Sequence, residues 1–309
     1  MVIRKLPAML DILLPSMYFC DLVFTGLPEM PRLGNEVYCK NLKVIPGGGF
    51  IPAVALNRLG LQVGWACDFG NDFFSHFALE QARQQNLSER LFRMHAVPLQ
   101  SVTVSYSFSH ERAFLSYVDL LPPFDLPALI RENPARCLML MGLSSAPDFH
   151  KTVEAAREVG AIIFMECQAT DASLDDPQVV AALRSVDIFA PNQEEALRLT
   201  GEATTEAALD RLAQLTPTVV IKLGADGVIA RRREEQVQMP GLSVSVVDTT
   251  GAGDNFDCGF LYGVLHKYLL EDCLRCGNFC GGLSTTAYGG WEASPTVAQL
   301  EDWLAEQHK

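Results

Sequence analysis

The sequence predicts an α/β fold in which a mostly parallel sheet is covered by helices on both faces and a small second sheet stands beside it. Three observations predict this. From about Arg136 onward, short continuous apolar runs alternate with amphipathic segments, the pattern of strands buried on both faces and of the helices that cover them. Ahead of that region several segments alternate polar with apolar residues, as half-exposed strands do. Late in the chain, Asp248-Thr249-Thr250-Gly251-Ala252-Gly253-Asp254-Asn255-Phe256 reads as a strand end, a glycine turn and a helix start that carries a carboxylate.

The chain has 309 residues, 49% hydrophobic and 20% charged, which fits a soluble globular protein. No boundary linker, internal repeat or low-complexity tract divides it, so residues 1–309 read as one α/β domain. The formal charge of −13 argues against a sequence-independent grip on nucleic acid, which needs a basic surface. Arg4 and Lys5 precede an apolar run, but Asp11 and Pro15 interrupt it, and no apolar segment reaches the ~20 residues that span a bilayer. The expectation is a cytoplasmic protein with no membrane partner. Nine cysteines show no disulfide framework. Cys273, Cys276 and Cys280 fall on one helical stripe but lack a fourth ligand, which favours core packing over zinc.

Element by element, Leu10 to Thr25 suits one buried strand that ends at Gly26, with Asp21 just past its apolar part. Glu36 to Val44, Ser101 to Phe108 and Ala113 to Val118 are half-exposed strand candidates, and they place a small β lid within about residues 22–45 and 98–120. Between them, Pro46-Gly47-Gly48-Gly49 opens a helix with Pro52 in its first turn, closed by Gly60. Then come strand Cys137 to Met141 and helix Asp148 to Val159, strand Ile162 to Met165 and a helix near Pro177 to Arg184, and strand Ile188 to Ala190 with helix Gln193 to Thr200. Val219 to Ile221 and Val244 to Val247 continue the strands, and Arg231 to Glu235 marks a solvated hairpin. A helix from Ser294-Pro295-Thr296 to Lys309 presents Leu300, Trp303 and Leu304 on one face.

Ligands bind outside the carboxyl ends of strands in such sheets, which singles out Glu166, Asn192, Lys222 and the 248–256 stretch. A helix start there points unpaired N–H groups and a positive dipole end at one spot, suited to phosphate. On its own, Asp254 reads first as a helix-capping aspartate. Asn192 and Glu195 read equally as a capping box, and Asp21 as the beginning of a turn.

Taken together, the Gly47-Gly48-Gly49 helix start, Asn192-Gln193-Glu194-Glu195, Lys222-Leu223-Gly224-Ala225-Asp226-Gly227 and Asp248 to Asp254 resemble the ribokinase-like (PfkB) carbohydrate kinases over nearly the whole chain. The resemblance implies a three-layer αβα sandwich with a β lid, and ATP-dependent phosphorylation of a hydroxyl on a sugar or polyol. By match to the family motifs, Asp254 is the base and the N–H groups of Gly251, Ala252 and Gly253 form the anion hole. Asn192, Lys222, Gly224, Gly227 and Asn278 belong to the nucleotide side. Glu195 organises Mg²⁺ indirectly, and Asp248 and Thr250 lie where relatives hold a monovalent cation such as K⁺. Asp21, Gly47 and Gly48 match positions that hold the acceptor. Ile51 stands at the nearest match to an asparagine that commonly touches the acceptor, and with Phe114 it suits a less hydroxylated one. Ser16, Met17 and Glu166 also depart from the usual pattern. A nucleoside kinase of the same family and a noncatalytic binding relative are the alternatives. Half-exposed lid strands further suggest a homodimer through the lid.

Overall fold

Ser16 and Met17 divide what the sequence presents as one strand from Leu10 to Thr25. In the computed structural model, which describes residues 9–107, 112–168 and 171–307, the stretch forms β1 (Leu10–Pro15) and β2 (Tyr18–Thr25), and these lie in different sheets. Ile12, Leu13 and Leu14 are buried on both faces of β1, whereas β2 is only half buried beyond Cys20. The continuous apolar run hides this change of surroundings. Asp21 consequently sits within β2, not at a turn after it. The segment Met1 to Ala8, with Arg4 and Lys5, lies outside the described residues, as do Phe108, His308 and Lys309 of the predicted strand and terminal helix.

The chain continues through β3 (Asn41–Gly48), α1 (Phe50–Arg58), β4 (Val63–Phe69), α2 (Phe73–Gln84), β5 (Phe92–Met94), β6 (Ser101–Ser107) and β7 (Arg112–Val118). After them come α3 (Leu126–Glu132), β8 (Ala135–Leu140), α4 (Phe149–Glu158), β9 (Ile162–Glu166), α5 (Pro177–Ser185), β10 (Ile188–Ala190), α6 (Gln193–Thr200) and α7 (Thr205–Ala213). The remainder is β11 (Thr218–Lys222), β12 (Val228–Arg232), β13 (Glu235–Met239), α8 (Ala252–Leu265), α9 (Leu270–Ser284) and α10 (Val297–Gln307).

Nine strands form the large sheet in the order β13-β12-β11-β10-β9-β8-β1-β4-β5. It is parallel from β5 to β11, and the β11-β12-β13 hairpins close one edge in antiparallel fashion. Two apolar clusters, one on each face, make it the middle of three layers. Ile12, Leu14, Cys137 and Phe164 face α1, α8 and α9, while Leu13, Leu138, Ile163 and Met165 face α4 to α7. The stripe Cys273, Cys276 and Cys280 is buried as free thiols between α9 and α8. In α10, Leu300 and Leu304 are buried and Trp303 stacks on Phe279, 4.8 Å between ring centroids.

The small sheet has the order β3-β2-β6-β7, with β2 and β6 parallel and both outer pairs antiparallel. It begins earlier than the alternation suggests, at Tyr18, and extends to Gly48. Residues 36–39 are not in a strand; the pairing runs instead from Asn41 through Gly47 and Gly48, because Phe19 and Tyr18 on β2 accept those glycines as partners. Gly49 alone caps α1. Val244 to Val247 also forms no strand. Val246 and Val247 are exposed, and the N–H groups of Val247 and Asp248 both donate to Thr285 O at 2.8 and 3.1 Å. β-branched composition does not suffice where no neighbouring strand supplies a ladder.

Candidate active site

The first turn of α8 is shaped by Gly251, which adopts the left-handed conformation at φ +68°. A Cβ there would stand 3.0 Å from Gly290 Cα, Gly290 O and Ile51 Cγ2, so glycine satisfies both the dihedral and the close approach. Asn255 locks the turn: its buried amide donates to Gly251 O at 2.8 Å and Gly290 O at 2.6 Å. Asp248 draws in the other side, accepting from Thr250 N (3.0 Å), Thr250 Oγ1 (2.8 Å) and Gly289 N (3.1 Å). Among the described residues, the N–H groups of Gly253 and Asp254 have no main-chain acceptor. They and the helix dipole make a site for an anion.

Asp254 opens onto a cleft of about 1220 Å³ between the two sheets. Ser16, Met17, Phe19, Gly48 and Gly49 form one wall, and Phe124, Met141, Gly142 and Gln168 form the other. Burial first, and then the negative charge of Glu166, push the Asp254 carboxyl up to about 7, with Lys222 opposing and Asp21 adding to the shift. Asp21 is likewise pushed up to about 7, by burial and then by Asp248. Both carboxyls therefore change charge near neutrality.

The residues that the sequence assigns to the acceptor lie around the β2–β3 pair and the start of α1. The space above Gly47 is filled by the Asp21 carboxyl, which a Cβ at Gly47 would overlap, and that above Gly48 by Phe19 and Met17 O. Gly47 thus accommodates the Asp21 carboxyl, and neither residue is among those that line the cleft. Ile51 is not among the residues that line the cleft. It is 3% exposed and packs against Gly251 and Gly290, because the first turn of α1 meets the start of α8. The exposed Phe114 lies out on β7.

Among the residues that the sequence assigns to the nucleotide and metal, Asn192 and Glu195 form a reciprocal capping box: Asn192 Oδ1 accepts from Glu195 N at 2.9 Å and Glu195 Oε2 from Asn192 N at 2.8 Å. Gly224 and Gly227 take positive φ in the β11–β12 turn, which packs on Met239 to Gly241, and Asn278 Nδ2 donates to Pro240 O at 2.9 Å. Lys222 ends β11. Its ammonium donates to Asp257 Oδ2 at 2.7 Å and Glu166 Oε1 at 3.1 Å.

Asp257, Phe124 and Arg93 were not singled out from the sequence, and Asn255 only as part of the 248–256 stretch. Arg93 binds Asp68 through two hydrogen bonds of 2.7 and 2.6 Å and lies 3.5 Å from the centroid of Phe124, fixing that cleft wall. Asp257 had one available signal, its place three residues after Asp254 on the same helix face.

The model of the pfkB family carbohydrate kinases matches residues 24–297. This chain belongs to that family. It is 29% identical to a fructokinase of Klebsiella pneumoniae over 81% of this chain and 88% of the relative. A ribokinase of Arabidopsis thaliana, solved with ribose and ATP, superimposes with a TM-score of 0.80 at 20% identity, covering 96% of this chain and 99% of the other. A neighbour from E. coli, solved with ATP and Mg²⁺, gives a TM-score of 0.77 at 19% identity and covers 96% and 100%. The fold of this pfkB family member is ribokinase-like, and the protein is a carbohydrate kinase, an enzyme class that uses ATP and Mg²⁺. No helix among its described residues is long and apolar enough to cross a membrane.

Proposed function

We propose that the enzyme transfers the γ-phosphoryl group of ATP to a hydroxyl of a sugar or sugar-like molecule bound between the two sheets, with Asp254 as the base. The observation that carries this reading is the position of Asp254 on the cleft floor, in the same helical turn as the N–H groups of Gly253 and Asp254, which have no main-chain acceptor among the described residues. A hydroxyl beside Asp254 gives it a proton, the oxygen bonds to the γ-phosphorus, and the bond to the β–γ bridging oxygen breaks to release ADP. The turn from Gly251 to Asp254 meets the charge on the transferring group with fixed dipoles. Mg²⁺, when bound, neutralises the phosphate oxygens. Glu195 uses Oε2 to cap α6, which leaves Oε1 to hold a metal-bound water, in keeping with an indirect role. Asn192, Gly224, Gly227 and Asn278 serve the nucleotide side by shaping its loops.

Asp21 is the natural recognition group for acceptor hydroxyls, since a carboxylate accepts two of them. The remaining cleft wall favours an acceptor with an apolar portion: Met17, Phe19, Phe124 and Met141 line it. This supports a nucleoside as a second acceptor class. The loop that joins Asp248, Thr250 and Gly289 is rich in oxygens, and K⁺ activation belongs to the same proposal. The test is ADP release with ribose, fructose, ketodeoxygluconate, tagatose 6-phosphate, inositol and adenosine, with and without K⁺. No turnover above background with any of them counts against the proposed acceptor classes.

For the best acceptor, kcat rises with pH through about 7 and is flat above, because the base must be deprotonated and its carboxyl sits near that value. A pH–rate profile whose acid limb falls near 4 contradicts the raised carboxyl. The effect on folding has the opposite sense. Both Asp21 and Asp254 hold protons more tightly in the native state, so the stability they contribute is fully present below about pH 4 and is lost as pH rises to about 7.

The small sheet serves as the lid, and its outer face supports a homodimer. Val44, Leu22, Val104 and Leu115 form one cross-strand row, flanked by Leu42 beside a stacked Phe24–Tyr106 pair. Val44, Leu42 and Leu115 are exposed. A self-complementary apolar face of this kind pairs with its own copy. Light scattering is expected to give a dimer for the native chain and a monomer for Val44→Asp/Leu115→Asp; a native monomer at micromolar concentration contradicts the interface.

A further inference from the structure

We propose that Asp257 and Glu166 are positioning residues that hold the Lys222 ammonium beneath Gly253, so that its charge acts on the transferring phosphoryl group through the anion-binding turn without touching it. The inference rests on the kinase site proposed above and adds a layer behind it. Lys222 Nζ lies 2.7 Å from Asp257 Oδ2 and 3.1 Å from Glu166 Oε1. The three side chains are 13%, 0% and 10% exposed, respectively. A Cβ added to Gly253 would stand 3.5 Å from the same Nζ, which puts the ammonium against the floor of the turn.

Carboxyls crowd this site: Asp21 on β2, Glu166 on β9, Asp248 in the loop, and Asp254 and Asp257 on α8. Lys222 is the cation that acts on Asp254 against them. Two charged carboxylates on one ammonium would leave a negative cluster beneath a site that must accept phosphate. Burial, offset in part by Lys222 and reinforced by Glu166, holds the Asp257 carboxyl well above its usual range. Its Oδ1 is buried with no hydrogen-bond partner among the described residues, an arrangement that suits a carboxyl with its proton and not a full charge. Burial alone would lower the Lys222 ammonium; Asp257 and Glu166 overcome that and keep it charged. Asp257 and Glu166 then share one negative charge against the ammonium, which is turned toward Gly253. If Lys222 moved out to grip a phosphate directly, it would leave two buried carboxyls facing each other without a cation.

The test compares binding of Mg·ADP with binding of Mg·ADP plus fluoroaluminate, a mimic of the transferring phosphoryl group, by calorimetry. Lys222→Met/Glu166→Gln removes both charges at once, so no buried charge is stranded, and thermal melting verifies that the variants are folded. The native enzyme binds ADP more tightly when fluoroaluminate is present. In the double variant that tightening falls by about 10- to 100-fold while ADP affinity stays within about threefold. Asp257→Asn, whose amide oxygen still accepts from Lys222, keeps the tightening within about threefold, and Asp257→Leu loses it as the double variant does. Equal losses of ADP and fluoroaluminate affinity would make Lys222 a direct phosphate ligand and overturn the proposal, as would unchanged tightening in the double variant or in Asp257→Leu. A loss in Asp257→Asn equal to that in Asp257→Leu would also overturn it, because hydrogen bonding at that position would then not hold the ammonium. If the native chain binds no Mg·ADP, the kinase reading itself falls and takes this role with it.

Discussion

Asp254→Asn is expected to lower kcat by about 10²- to 10⁴-fold while KM for ATP stays within about threefold. Asparagine keeps the size of the side chain and its place on the cleft floor, but it cannot take a proton from a hydroxyl. The raised value of the native carboxyl, about 7, makes it a stronger proton acceptor than an ordinary aspartate, and about half of it is in the deprotonated form at neutral pH. The substitution also removes a charge from beside the anion site, so nucleotide binding does not suffer. Steady-state kinetics with the best acceptor separate the two parameters. A kcat within a few-fold of native removes Asp254 from the role of base.

Gly251→Val is expected to damage both chemistry and stability. A β-branched residue is strained at φ +68°, and its Cβ would press on Gly290 and Ile51 at 3.0 Å. The backbone strain alone costs about 1–3 kcal/mol, enough to lower Tm by about 2–5 °C in a chain of this size. If the same turn aims its N–H groups at the phosphoryl group, as proposed, kcat falls by about 10²-fold or more. Differential scanning calorimetry and the ADP-release assay read the two effects independently. Native Tm together with native kcat would show that the left-handed turn is dispensable. Unlike Asp254→Asn, this change weakens the scaffold as well as the reaction, so the pair distinguishes a group that reacts from a group that shapes.

The core layers were legible because a parallel sheet buried on both faces writes itself as continuous apolar runs, as in Cys137 to Met141 and Ile162 to Met165. Strand-end polar residues followed from the same pattern: Glu166 and Lys222 do end β9 and β11. What could not be read were relations between distant segments. Pro15 and Ser16 interrupt the apolar run only weakly, with no glycine or asparagine to mark a turn, yet the chain passes there from one sheet to the other. Ile51 was aligned with an acceptor contact, but the direction of a side chain depends on how α1 meets α8, and that contact lies two hundred residues away. Val244 to Val247 has strand composition without a strand, since a ladder needs a neighbour. Asp257 looked like any helical aspartate until Lys222 and Glu166, from two other strands, met it in the interior. Local chemistry was written locally, whereas charge pairing across layers was not.

The strand order of the large sheet bears on how this enzyme is made. From β8 to β13 each strand lies beside the one synthesised just before it, so the growing chain can extend the sheet without waiting for a remote partner. The small sheet is also closed early, once β7 has emerged. The turn at Gly251 and the helix that bears Asp254 follow only after β13 and must dock onto a frame already assembled. A chain still on the ribosome therefore has the walls of the cleft before it has the helix start and carboxyl proposed to act there.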